Sequence, residues 1–256
     1  MIARSTKLLD HPCPRGLADE IGPVEQHSTG NELLRRLHPA DFALLQPHLE
    51  RAPLTVGSIL ARAGAGIETV CFPEGGIVGF VDVLADERRL AVGLIGREGF
   101  VGWPLLLGSD LWSHEAAVRA ENSTAVRVQS HRLLEAARAS DSLRSLLLRF
   151  VNSFVAQMGR TIVSNLIHPV EARAARWILL YHDRVSGDEI AVTHEEFAIM
   201  LGVRRSSITD ALHQLEGDGG IKALRGRILV RDRAYLESLV TDTYGFAENE
   251  YRRLLQ

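Results

Sequence analysis

The chain of 256 residues is long enough for two domains, each with its own core. Its apolar share of 46 %, charged share of 24 % and net charge of −3 are ordinary for a globular protein, and the mild acidity argues against a surface coated in nucleic acid. Two cysteines, Cys13 and Cys71, cannot build a disulfide framework or a four-cysteine metal site, and no apolar run reaches the ~20 residues of a membrane span.

Residues 1–30 are rich in Pro, Gly, His and charge and read as a mobile arm; they lack the compact apolar core of a secretory signal. With Cys13 in that arm and Cys71 in an apparent strand, a reducing cytoplasm is the expected location. Residues 31–50 read as helix, with Leu34, Leu37, Phe42 and Leu45 as apolar contacts and Pro39 opening a second turn. From Leu54 to about Val128, short apolar runs (TVGSIL, TVCF, GIVGFVDVL, RLAVGLIG, FVGW, AAVRA, TAVRV) alternate with glycines. Short strands with glycine turns at this spacing predict a β-barrel, sandwich or roll.

Residues 131–166 read as one helix, with Leu143, Leu147, Phe150, Phe154, Met158 and Ile162 at steps of three and four. Between Leu146 and Ile167 only Arg149 and Arg160 are charged, and a helix this apolar requires cover on more than one side. Two roles stay open: a core helix of one monomer, or, as favoured here, a seam against a symmetry mate. His168-Pro169 interrupts the pattern. Pro169 at a first helical position and Glu171 in the first turn start a new helix to about Asp183.

Residues 193–201 (THEEFAIML) begin with a capping box, Thr193 and Glu196, and carry an apolar face of Phe197, Met200 and Leu201. Gly202 ends this helix after two turns, and a second runs from Arg204 to about Glu216, which makes a helix-turn-helix. In the second helix Ile208, Ala211, Leu212 and Leu215 share the core side, while Ser206, Thr209, Asp210 and His213 point away. An arginine with small hydroxyls at a helix start suits the major groove, where Arg205 can make two bonds to a guanine edge. Residues 221–232 alternate around Arg225-Gly226-Arg227 and read as a hairpin wing. The region from 204 to 233 holds seven Lys or Arg and four Asp or Glu, a small local positive excess. The expected DNA-facing set is Thr193, Arg204, Arg205, Ser206, Ser207, Thr209, Asp210 and His213. Lys222, Arg225 and Arg227 join it as phosphate contacts.

At these residues the chain resembles the Crp/Fnr superfamily, named for the cyclic-AMP receptor protein and the fumarate-nitrate regulator. The similarity rests on T-x-E-x-x-A-x-x-L-G-V-x-R from Thr193, then Leu215-Glu216, Gly220-Ile221 and I-x-V-x-D from Ile228 to Asp232. It extends more weakly over residues 31–240, and Arg173 fits the arginine that opens the family's DNA-binding domain. The resemblance implies an α+β chain: an effector-type β-roll (double-stranded β-helix or jelly-roll type) over 31–130, a dimerisation helix over 131–168 and a winged helix-turn-helix over 169–256. It implies a homodimer on a near-palindromic site, with recognition helices ~34 Å apart. Double-stranded DNA is the partner, and contacts with RNA polymerase would bear on activation or repression. Relatives of the cyclic-AMP type carry Arg-Glu at the recognition helix and an Arg four residues after that Glu. Here Ser206 and Asp210 replace the Glu and the later Arg, so a different DNA code is expected.

The implied effector pocket departs further. Trp103-Pro104 follows Gly102 where cyclic-nucleotide binders have Gly-Glu, and Ser113-His114-Glu115 stands in place of the phosphate arginine. The family's small polar pair on the dimer helix falls near Met158-Gly159. A buried phosphate without a cation is costly, so cyclic AMP is disfavoured. Gly102, Trp103, His114 and Met158 mark the pocket, the effector is unknown, and no cofactor or metal is expected. His114 could serve as a haem or metal ligand, but a lone histidine is more often a hydrogen-bonded or surface residue. No enzyme is expected: residue 198, where a zinc-protease motif needs histidine, is alanine; Gly64-x-Gly66 lacks the third glycine of a dinucleotide loop; and neither G-x-S-x-G nor C-x-x-C occurs. The rival is a ligand-binding or protein-interaction module whose helix-turn-helix does not touch DNA.

Overall fold

Residues 23–255 are described by a computed structural model of the protein, so the expected arm over residues 1–22, with Cys13, lies outside the described residues. Residues 23–30 are not a mobile arm. Val24 is buried, and the Gln26 side-chain amide donates to the Leu37 carbonyl at 2.6 Å. Asn31 then caps α1 (Glu32–Arg35): its Oδ1 accepts from the Leu34 amide, and its Nδ2 donates to the carbonyls of Pro73 and Gly99. Pro39 opens α2 (Pro39–Leu45) after the His38 cap, so the expected helix over 31–50 is two short ones followed by a 3-10 turn.

Seven strands follow: β1 (Glu50–Leu54), β2 (Ile59–Ala61), β3 (Thr69–Pro73), β4 (Ile77–Val83), β5 (Arg89–Ile95), β6 (Glu115–Ala120) and β7 (Ser123–Gln129). They pair antiparallel in two sheets of order β1-β7-β3 and β2-β6-β4-β5, which share one core through Val70, Phe72, Phe80, Val118 and Val126. β1 lies outside the runs expected as strands. It carries Pro53, which an edge strand tolerates because that side of the ladder needs no N–H donor. The FVGW run is not a strand: Val101 makes a lone bridge to Cys71, after which Gly102 at φ 129° and Pro104 turn the chain into a 3-10 helix, Trp103–Leu107.

The expected single helix over 131–166 is broken into α3 (Ser130–Ala139) and α4 (Asp141–Ile167). Ser140 turns to φ −134°, its Oγ accepting from the Leu143 amide and donating to Asp41 of α2 at 2.6 Å. A cap supported by so distant a residue leaves no trace in helical periodicity. Next come α5 (Val170–His182), β8 (Glu189–Ala191), α6 (His194–Leu201), α7 (Arg205–Gly217), β9 (Ile221–Leu224), β10 (Arg227–Val230), α8 (Arg233–Ser238) and α9 (Phe246–Leu255). β8, β10 and β9 form a third sheet in that order. The fold is α+β: a β-roll, a long helix and a winged helix-turn-helix. The last third does not sit apart. Trp177, Leu180, Phe197 and Leu212 share a second core with Ile77, Val81, Ala91 and Leu94 of the roll. No helix among the described residues is long and apolar enough to cross a membrane.

α4 has three faces. Leu143, Leu147, Phe150 and Phe154 are each at most 2 % exposed and pack on the roll, where Phe154 meets Phe80 and Trp103, and Phe150 meets Phe100. A second face is covered by α9. Arg149 donates to the Leu254 carbonyl, Asn152 to Glu250, and the Arg160 guanidinium lies 4.3 Å from the Phe246 ring centroid. The third face, with Val155, Gly159, Ile162 and Leu166 at steps of four, three and four, is exposed. Four of the six residues expected in a dimer seam are therefore buried in their own chain. Met158 is half-buried against the same core, and Ile162 alone lies on the open face. Two interleaved apolar stripes run along this helix, and periodicity alone could not say which one the roll takes.

Candidate nucleic-acid interface

The Thr193 cap of α6 forms as expected: its Oγ1 accepts from the Glu196 amide, and Glu196 accepts from the Thr193 amide at 2.9 Å. Gly202 ends the helix in the left-handed region, φ 63°, where a glycine has no Cβ to strain. Leu90 of β5 packs so closely there that a side chain at 202 would collide with it. Arg204 is the N-cap of α7, and Ile208, Ala211, Leu212 and Leu215 turn into the core. Arg204, Arg205, Ser206, Asp210 and His213 are exposed; Ser207 and Thr209 are half-buried. The Thr209 hydroxyl is engaged, donating to the Arg205 carbonyl at 3.1 Å and lying 3.2 Å from His194 Nδ1. It sits on the flank rather than the outer face. Arg204, Arg205 and Ser207 share a surface groove with Arg88, Arg89 and Leu90 of the β4–β5 hairpin, a neighbour that no motif in the sequence announces.

The wing is a two-residue turn, Arg225-Gly226, closed by the Leu224–Arg227 pair, with Gly226 at φ 75°. Lys222, Arg225 and Arg227 are exposed. Arg227 is not unpaired: it donates to Glu189 of β8 at 2.8 Å, and that carboxylate raises its already high pKa. β8 has no visible signal in the sequence, because a three-residue strand shows too little alternation to detect.

Residues 172–239 match the family described as the Crp-like helix-turn-helix domain. These residues are a Crp-like helix-turn-helix domain. Comparison with curated proteins finds no match. Among solved structures, the chain is similar to a CRP-family transcriptional regulator from Thermus thermophilus, at 20 % identity and TM-score 0.62, over 75 % of this chain and 97 % of that one. It is similar to FixK2 from Bradyrhizobium japonicum at 17 % identity and TM-score 0.65, over 75 % and 96 % of the two chains. The c-di-GMP-responsive global regulator CLP from Xanthomonas campestris gives 18 % identity and TM-score 0.63, over 76 % and 99 %. At these identities the likeness is one of fold: the chain shares the architecture of these structures.

Arg173, at the start of the Crp-like domain, ties its parts together. Its Nε donates to Asn165 of α4 at 3.1 Å, and its Nη2 donates to the Leu201 carbonyl at the end of α6. In the roll, Trp103 is buried against Phe154, with the His114 ring centroid 6.3 Å away and His114 Nε2 3.6 Å from Asp82. Among the described residues the indole N–H of Trp103 is a buried donor without an acceptor. Glu115 is held by Arg89 through two bonds of 2.7 and 3.1 Å. Gly102, Trp103 and His114 thus lie together, and Met158 packs on the same core. No group of three or more His, Cys, Asp or Glu able to hold a metal occurs among the described residues. Cys71 is buried, and burial pushes its thiol up to about 11.

Proposed function

We propose that this chain is a transcription regulator that binds a near-palindromic duplex as a homodimer. The reading is carried by α7, whose leucine side is buried while Arg204, Arg205 and Ser206 stand exposed at its N-terminal end. Residues at that end are the ones that reach base edges when a helix enters the major groove. Lys222 and Arg225 on the wing are the readier phosphate contacts, since Arg227 must first share or leave Glu189. The apolar face of α4 at Val155, Gly159, Ile162 and Leu166 supports a dimer seam, because a contiguous apolar strip on a long helix is stabilised by a matching helix. With the helix as seam, 31–130 acts as the effector-type roll and 169–256 as the DNA-binding part. Trp103 occupying the roll interior and Glu115 engaged by Arg89 support an effector other than cyclic AMP.

Selection of bound duplexes from a random pool tests this. Arg205→Ala is expected to lose roughly 1–3 kcal/mol and relax one base position in each half-site. Lys222→Ala is expected to weaken all sequences alike and flatten the salt dependence. An identical selected site for wild type and the Arg205 variant rejects the role of Arg205. Absence of duplex binding even at low salt rejects the regulator in favour of an interaction module.

A further inference from the structure

A half-open cavity of about 340 Å³ lies where α4, α9, the end of β5 and the end of α5 meet. No motif marks it, because its walls come from six separate stretches of chain, Glu32 of α1 and Arg233 of α8 included. Phe150 and Phe154, each 2 % exposed, form its floor beside Ala247, Tyr244 and Tyr251, and the ionised lining balances, four arginines against four carboxylates. The most enclosed of these is Arg184, whose side chain is 8 % exposed. Its Nε donates to Glu98 at 2.8 Å and its Nη1 to the Leu180 carbonyl at 2.7 Å, which leaves Nη2 with no hydrogen-bond acceptor among the described residues. Glu248 of α9 accepts from the Gly245 amide through Oε2, and its Oε1 has no donor among the described residues.

We propose that this cavity binds a free α-amino acid with an apolar side chain. The carboxylate takes the spare Arg184 donor, the ammonium takes Glu248 Oε1, and the side chain lies against Phe150 and Phe154. A ligand with net charge would upset the balanced lining, and a plain hydrocarbon would leave the polar groups without partners. The volume sits at the small end of ligand pockets, roughly 300–1,000 Å³, which suits a metabolite of amino-acid size rather than a nucleotide. Because the walls join the roll to the Crp-like domain through α4 and α9, occupancy ties the two together. That consequence for DNA affinity rests on the regulator reading; the binding itself does not.

Isothermal titration of the full chain with L-phenylalanine and L-leucine is the test, run against phenethylamine, which lacks the carboxylate, and N-acetylphenylalanine, which lacks the ammonium. One site per chain is expected, with both analogues weaker by about ten- to a hundred-fold, the size of one charge-assisted hydrogen bond. Glu248→Gln, whose amide oxygen still accepts from Gly245, is expected to show a loss of the same order. Equal binding of phenethylamine, an unchanged Glu248→Gln, or no heat with either amino acid overturns the proposal. Duplex binding is followed by anisotropy on the same samples. A chain that binds an amino acid but no DNA sinks the regulator and keeps the site, and the opposite result does the reverse.

Discussion

Leu166→Glu separates the two apolar stripes of α4. Leu166 is 79 % exposed in the single chain, and Ile162, one turn earlier, is 61 % exposed, so neither supports the chain's own core. Burying a leucine side chain is worth about 1.5–3 kcal/mol, and a two-fold axis would place two copies in the proposed seam. With most of each side chain still available for burial, loss of both gives roughly 2–5 kcal/mol, or about thirty- to several thousand-fold in the dimer dissociation constant. The added carboxylate increases the loss, since a charge held in an apolar seam is costly. Sedimentation equilibrium across a concentration series reads the constant directly, and far-UV circular dichroism checks that the monomer is folded. Duplex affinity is expected to fall in parallel, because each half-site then binds alone. An unchanged dimer constant in a folded Leu166→Glu chain would refute the assignment of the seam to this face.

Leu147→Ala is the complement: the residue is buried against the roll, so the variant is expected to lose about 2–5 kcal/mol in denaturant unfolding while the dimer constant of the folded chain stays the same. Glu189→Gln removes the partner of Arg227 and is expected to tighten binding to unrelated duplexes by a small factor and steepen its salt dependence; unchanged affinity would mean the wing does not meet phosphate through Arg227. In a Cys13→Ser background, Cys71 is expected to resist iodoacetamide at pH 8 until the chain unfolds, because burial raises its thiol to about 11 from an ordinary value of 9.0. The folded form holds that proton longer than the unfolded one, so this group's contribution is fully present below pH 9 and is lost as pH rises from about 9 to 11; rapid labelling of the native chain at pH 8 contradicts it.

Local chemistry was enough to find the helix-turn-helix. A capping box at Thr193, a glycine in the left-handed region at 202 and a four-residue apolar set on α7 each act within a few residues of one another, so they are legible in one dimension. The same holds for the wing turn at Arg225-Gly226 and for most strands of the roll. Elements set by distant partners were not legible. The break at Ser140 depends on Asp41, the anchoring of residues 23–30 depends on the Leu37 carbonyl, and β8 exists because β10 pairs with it.

The sequence by itself determined which helix carries arginines and hydroxyls on one side and leucines on the other, because that pattern follows from 3.6 residues per turn alone. Tertiary structure alone decided what each apolar stripe of α4 meets, which partner Arg227 and Glu115 hold, and that Leu94, Phe150, Arg184 and Glu248 surround one cavity. Periodicity fixes the direction a side chain points within its own element, but burial and ion pairing depend on what other segments bring to that face, and this is set by the packing of the whole chain.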